Sequence, residues 1–371
     1  MKRFLIALFV FLLFPIAAVG AVSEEEYNSN LSSYDLSFFE ETLGSNTYDV
    51  LKELGVESFS FENIYSLNFN DISKVITFIL KDKLKSPLEG VLSVSLFMVL
   101  SSFFQSLKGD NDGMGELFST VSSLIIACIL LLKISPAVTL AAASLDVAFN
   151  FVYAFIPVFC AIVVASGGIT ISFSTNSMLL ILSQCMSFLS SNIIMPLTNC
   201  FLALGISASL RPQLGLSKLI ETVKKGIITV ISFCFGAYVS VLSIKTAAAA
   251  RVDMLGIRSL RFVISSAVPV VGAALSEGLV SIQTYSSLIK TSVGAVGIIA
   301  VALVYLPSLL EIVMWRFMLG LSAALCEMFE NTAVSEVVRS FSSALLIINV
   351  ILIVSALATV VSIGILIASG G

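Results

Sequence analysis

FSSALLIINVILIVSALATVVSIGILIAS, residues 341–369, carries no charged side chain from end to end. Wound as an α-helix at 1.5 Å per residue it is about 43 Å long, more than the ~30 Å hydrocarbon core of a bilayer. Seven further apolar segments precede it, at residues 91–107, 118–132, 147–166, 178–210, 226–244, 262–282 and 291–325. The chain as a whole agrees with them: 57% of its 371 residues are apolar, 12% are charged, and the mean hydropathy is +1.04. An ordinary soluble domain is about half apolar and a quarter charged. The expected fold class is therefore all-α, a polytopic membrane helical bundle.

The ends of the apolar segments give its organisation. Lys2 and Arg3, an apolar run over 4–18, and the small residues Ala18, Gly20 and Ala21 have the grammar of a secretory signal peptide over 1–21. An uncleaved anchor helix is the alternative. Residues 22–74 then hold eleven carboxylates against two lysines, leaving the rest of the chain near +5. This acidic segment is expected outside the cytoplasm and extends to residue 86. From Asp71, Ile72, Val75, Ile76, Ile79, Leu80 and Leu84 recur at helical spacing among four lysines. They predict an amphipathic helix, either lying on the membrane surface or packed on the preceding segment. Residues 87–371 form the multispanning domain. Two of its segments, 178–210 and 291–325, are long for one span, and Pro196 and Pro307 mark the expected break points.

The chain also matches itself. LGISASL at 204–210 parallels LGLSAAL at 319–325, and at an offset of 112 Lys133 meets Lys245 and Pro157-Val158 meets Pro269-Val270. One reading is an internal duplication over 118–225 and 230–340, as in many transport folds. The other is coincidence among segments that draw on few residue types.

Histidine is absent, which removes the usual general base, proton relay and commonest metal ligand together. Six single cysteines without a C-x-x-C suggest apolar packing rather than a zinc or disulfide framework. No P-loop, nucleophile elbow or metal motif is present, and 108–116 reads as a turn. An enzyme, a cofactor or a nucleic-acid partner is not expected. Ionisable groups in or beside apolar segments remain: Asp146, Glu277, Lys290, Glu311 and Arg316. Glu311 and Arg316 lie five apart, off a common helix face, and must look to other helices, as structural pairs or as lining of a path.

Arg251, Arg258 and Arg261, spaced by seven and three, form one basic stripe, which fits lipid headgroups or an acidic partner. They stand in the stretch 235–277, where Ser243-Ile244, Ile257-Arg258, Phe262 and Val268-Pro269-Val270-Val271-Gly272 resemble the stage III sporulation protein AE family. That resemblance implies a protein of the mother-cell membrane surrounding the forespore, within a secretion-like channel between the two cells. Its implied partners are the other stage III sporulation proteins, AA to AH, and stage II sporulation protein Q. On that reading Arg251, Arg258, Arg261, Pro269 and Gly272 are candidates for assembly or lipid contact, and Glu277, Glu311 and Arg316 for intramembrane polar positions. A secondary transporter of a small solute is the alternative.

The signal-peptide reading has a direct check. Terminal sequencing of membrane-fraction protein should give a mature start near Ala21 or Val22, and an intact Met1 would overturn it.

Overall fold

A computed structural model describes residues 69–106, 112–189, 216–267, 272–329 and 331–368, with isolated positions between 192 and 203. The signal segment, most of the acidic segment, Pro269 and the stretch 204–210 lie outside the described residues. Among the described residues six helices follow one another: α1 Phe69–Ser106, α2 Asp112–Ala165, α3 Ile169–Leu189, α4 Leu216–Ala267, α5 Gly272–Met328 and α6 Thr332–Ala368. Four stretches, Thr120–Ala165, Lys218–Ser266, Ser286–Met328 and Thr332–Ala368, are long and apolar enough to cross a membrane.

The helices are fewer and longer than the apolar segments suggest. Residues 118–132 and 147–166 do not flank a loop; the intervening stretch, rich in Ala, Leu and Ser, stays helical within the 54 residues of α2. Residues 262–282 are divided between the end of α4 and the start of α5. Pro307 breaks nothing, because α5 continues through it for 57 residues, just as α2 continues through Pro136 and Pro157. In an apolar bundle, neighbouring helices and side chains re-satisfy the carbonyl that an internal proline frees. The expected turn at 108–116 is also shortened, since α2 already begins at Asp112. The amphipathic helix from Asp71 is the first half of α1, which runs unbroken through Pro87 into the first apolar segment.

The core is built where α2, α5 and α6 meet. Phe151, Phe155 and Phe159 are fully buried along one face of α2, with successive ring centroids 5.6 and 4.9 Å apart. Glycines on α5 make room for them. A Cβ on Gly297 would lie 2.8 Å from Phe155 Cζ, and one on Gly294 would lie 2.5 Å from Ile367 Cδ1 and 3.1 Å from Phe159 Cζ. These contacts run in opposite numerical order on α2 and α5, so the two helices are antiparallel. A tight hairpin reverses the chain again between α5 and α6. There Asn331 Oδ1 accepts the Val334 N–H at 3.3 Å as an N-cap, and Glu327 binds both Ser335 and Arg339.

α1 is held on this core by shape and charge. Trp315 of α5 is completely buried, and its ring edge fills the place where Gly90 of α1 has no side chain. α4 is different. Its most apolar window has only 6% of its residues buried, against 50–67% in the other three spans. Among the described residues two side-chain hydrogen bonds join it to α6, Tyr238 with Ser362 at 2.8 Å and Lys224 with Ser343 at 3.4 Å, beside apolar contacts from Ile231 and Phe235 to the core.

Gly90→Ala tests the α1 seat. Its Cβ would sit 2.4 Å from Trp315 Cη2, a rigid ring with no room to withdraw. Overpacking of this kind costs about 1–3 kcal/mol, so the detergent-solubilised variant should unfold at a lower temperature than the parent.

Candidate functional site

α2 and α3 form an antiparallel pair joined by Ser166-Gly167-Gly168, which is too short for anything but a tight reversal. Gly167 adopts φ +93°, a left-handed conformation that glycine takes at no steric cost. Around it the Gly167 N–H donates to the Val164 carbonyl and the Gly168 N–H to the Val163 carbonyl, both at 2.9 Å, which closes the last turn of α2. Ser172 Oγ donates to the Cys160 carbonyl at 3.2 Å and ties the two helices together just beyond the turn.

The start of α3 raises a harder requirement. The first N–H groups of a helix have no partner within it. Here they are taken by a residue more than eighty positions away: the Thr170 N–H donates to Asp253 Oδ1 at 2.8 Å and the Ile171 N–H to Asp253 Oδ2 at 2.9 Å. One carboxylate of α4 therefore caps α3 with both oxygens. The negative charge also lies at the positive end of the α3 dipole, where it is favoured.

The same turn is wedged between α4 and α5. A Cβ on Gly167 would lie 2.9 Å from Ile257 Cδ1 of α4 and 3.1 Å from Gln283 Nε2 of α5. Gln283 in turn accepts a hydrogen bond from Arg261 Nη2 at 3.0 Å. Four helices thus converge on a junction made of Gly167, Asp253, Ile257, Arg261 and Gln283.

This junction divides the basic stripe. Arg251 and Arg258 are exposed, whereas Arg261 is rotated inward onto Gln283. Gly272 is the first residue of α5, and Pro269 lies outside the described residues. The sequence reading does not single out Asp253 or Gln283. The available signal was an acid isolated among arginines, two residues after Arg251 and four before Ile257; its partner, a bare helix start after Gly167-Gly168, is not visible from α4 alone.

The remaining ionisable positions separate into two levels. α5 carries no charge from 291 to 310, about 30 Å of helix and so one hydrocarbon thickness. Below it, Glu311 is buried and pairs with Lys83 of α1 at 3.8 Å, and Glu89 of α1 pairs with Lys133 of α2 at 3.3 Å. Arg316 is half-buried, with its Nε unbonded. Above it, Lys290 is 1% exposed and its amine has no hydrogen-bonding partner among the described residues. Asp146 and Glu277 are exposed, and neither joins the junction. Among the described residues, no three His, Cys, Asp or Glu side chains gather as a metal site would require.

With this geometry in view, comparison with known proteins gives two findings. The family model described as stage III sporulation protein AE matches residues 55–370. The chain is also 22% identical over 281 residues to stage III sporulation protein AE of Bacillus subtilis (strain 168), covering 76% of this chain and 70% of that protein. No solved structure matches.

Asp253→Ala should uncap α3 and leave two buried-end amides without an acceptor, a loss of about 1–3 kcal/mol. Asp253→Asn should lose less, because one amide oxygen still accepts. Thermal unfolding of the two variants in detergent checks the order, and equal midpoints for Ala and parent would refute the cap.

Proposed function

This chain belongs to the stage III sporulation protein AE family, and from that premise we propose that it is a non-enzymatic membrane subunit of a secretion-like channel between mother cell and forespore. A role in sporulation follows from the family itself. The finer assignment rests on the architecture that the family match encloses. Residues 55–370 take in all six helices, including the four long enough to cross a membrane. The observation that favours a subunit over a self-sufficient machine is α4. It is bound to the core by a cap, a few hydrogen bonds and a narrow apolar seam that includes Ile220, Ile231, Phe235 and Ala249, while most of its apolar surface faces outward. A helix so disposed can meet lipid and neighbouring subunits without disturbing the core.

In this proposal the signal segment over 1–21 delivers the acidic segment over 22–86 to the space between the two membranes. The other stage III sporulation proteins, AA to AH, and stage II sporulation protein Q are its partners there, and the mother-cell membrane around the forespore is its place. A secondary transporter is the second reading. It is favoured by Lys290 and Glu311, both buried in the membrane-crossing part of α5, and by the self-matching segments, which the proposal treats as an internal duplication.

Deletion of the gene in its spore-forming host should leave vegetative growth unchanged and abolish heat-resistant spores. The purified chain alone in proteoliposomes should move no small solute, while pull-down from sporulating cells should recover other stage III proteins. Solute uptake by the chain alone, with no partner recovered, would overturn the channel-subunit reading in favour of the transporter.

A further inference from the structure

α4 is basic at both ends. Lys218, Lys224 and Lys225 stand near its start, and Lys245, Arg251 and Arg258 are exposed past residue 244. A helix crossing a membrane places only one of its ends in the cytoplasm, the side where cations accumulate. Asp253, the one acid between Lys245 and Ala267, is committed to α3, and Arg261 is committed to Gln283. The remaining cations of the second half are left to find their anions elsewhere. At about 100° per residue, Arg251, Leu255, Arg258 and Phe262 fall within about 60° of one another, on the side of α4 away from Asp253 and Ile257. Leu255 is 64% exposed and Phe262 71%. Their occupant has to bring carboxylates and apolar side chains together. It also has to do so outside the hydrocarbon: the uncharged stretch 226–244 is about 28 Å long, and Arg251 and Phe262 follow its end by about 10 and 27 Å.

The helix directions show where such an occupant is at hand. Lys83 with Glu311 and Gly90 with Trp315 run in the same order on α1 and α5, so these two helices are parallel. By the same test Lys224 with Ser343 and Tyr238 with Ser362 make α4 parallel to α6, which returns antiparallel to α5 through their hairpin. The start of α1 and the end of α4 therefore point to the same end of the bundle. Counted along the helices from the Lys83–Glu311 and Arg261–Gln283 contacts, Arg251 is within about 6 Å of the level of Phe69, and Arg258 about 17 Å beyond it. What leads into Phe69 is the acidic segment. Residues 22–68 carry ten carboxylates against one lysine, and within them Asp35, Glu40 and Glu41 flank Leu36, Phe38 and Phe39. The chain from Glu41 to Phe69 reaches up to about 90 Å at about 3.3 Å per extended residue, so the tether imposes no limit.

We propose that the outward face of α4 centred on Arg251, Leu255, Arg258 and Phe262 is the docking site for the acidic segment of the same chain, with residues 35–41 seated on it. In this docking the carboxylates pair with the guanidinium groups while the aromatic rings cover Leu255 and Phe262. A second copy presenting the same face would instead set arginine against arginine. The proposal rests on helix direction and charge and not on the channel assignment, so either can fail alone.

The experiment puts the photoreactive residue p-benzoylphenylalanine in place of Phe262 in the full chain, reconstituted as single copies in phosphatidylcholine nanodiscs, and maps the cross-links by mass spectrometry. They should fall on peptides within 22–68, and their yield should drop as salt is raised. Arg251→Glu together with Arg258→Glu should reduce that yield about tenfold, and adding Glu40→Arg and Glu41→Arg should restore most of it. Lys218→Glu, at the other end of α4, should leave it unchanged. The substituted α4 side chains are exposed, so the unfolding midpoint in detergent should not move; if the reversed pair does not accumulate, Arg251→Gln with Arg258→Gln should lower the yield in the same direction. Cross-links that fall on lipid, or none within 22–68, would overturn the proposal. So would a yield that ignores both arginines. The same residue irradiated in sporulating cells tests the remaining occupant: cross-links to another protein, with none to 22–68, would make this face that partner's site instead.

Discussion

Hydrocarbon offers no hydrogen bonds, so a helix that begins within an apolar bundle has to obtain partners for its first amides from the protein. At Thr170 and Ile171 that demand is met by Asp253, and the arrangement of the whole outer layer depends on it. Without the carboxylate, the second half of α4 would be held by Ala249, Ile257 and the Arg261–Gln283 hydrogen bond, while its first half keeps Ile220, Ile231 and Phe235 on the core and the Tyr238 and Lys224 contacts to α6. With it, the second half is pinned at a defined rotation. The same rotation places Ile257 against Gly167 and Arg261 within reach of Gln283, while Arg251 and Arg258 turn away from the bundle.

The inner layer is ordered by the opposite means. Where α2, α5 and α6 meet the packing is chiefly apolar; glycines at 294 and 297 let aromatic and aliphatic side chains close to van der Waals distance. Such packing is specific because it is shape-dependent. Charge enters on either side of the uncharged stretch of α5 and again at the α5–α6 hairpin, where Glu327 pairs with Arg339. Below that stretch Glu311 of α5 and Glu89 of α1 each pair with a lysine on another helix; above it Lys290 has no hydrogen-bonding partner among the described residues. A buried amine without an acceptor is costly, which makes Lys290 the least explained residue of the core.

The class of fold was legible because apolar composition is a bulk property and survives any error in segmentation. Helix ends were not. Proline and glycine are read as punctuation in water, and in this bundle Pro87, Pro136, Pro157 and Pro307 are all internal to helices. The reversal at Gly167-Gly168 was visible as an interruption, although nothing local distinguishes it from a kink. Residues that act across the sequence were harder still. Glu311 stood out as an isolated acid, but its partner Lys83 looked like one lysine among several on an amphipathic helix. Asp253 was masked by the arginines around it. In each case the local pattern identified one member of a pair, and the second is fixed only by which helices pack together.

The Asp253 cap also constrains the order in which this protein can be made. Thr170 and Asp253 are separated by 83 positions, and ribosomes add about 5–20 residues per second. For roughly 4–17 s after the start of α3 has been synthesised, its amides have no native acceptor, because the residue that will serve them has not been translated. The α2–α3 pair must spend that interval at the membrane surface, in contact with water, or sheltered by the insertion machinery. The cap then closes late, when α4 docks, and the amide protons of Thr170 and Ile171 become a timer for that event that hydrogen-exchange labelling during synthesis can read.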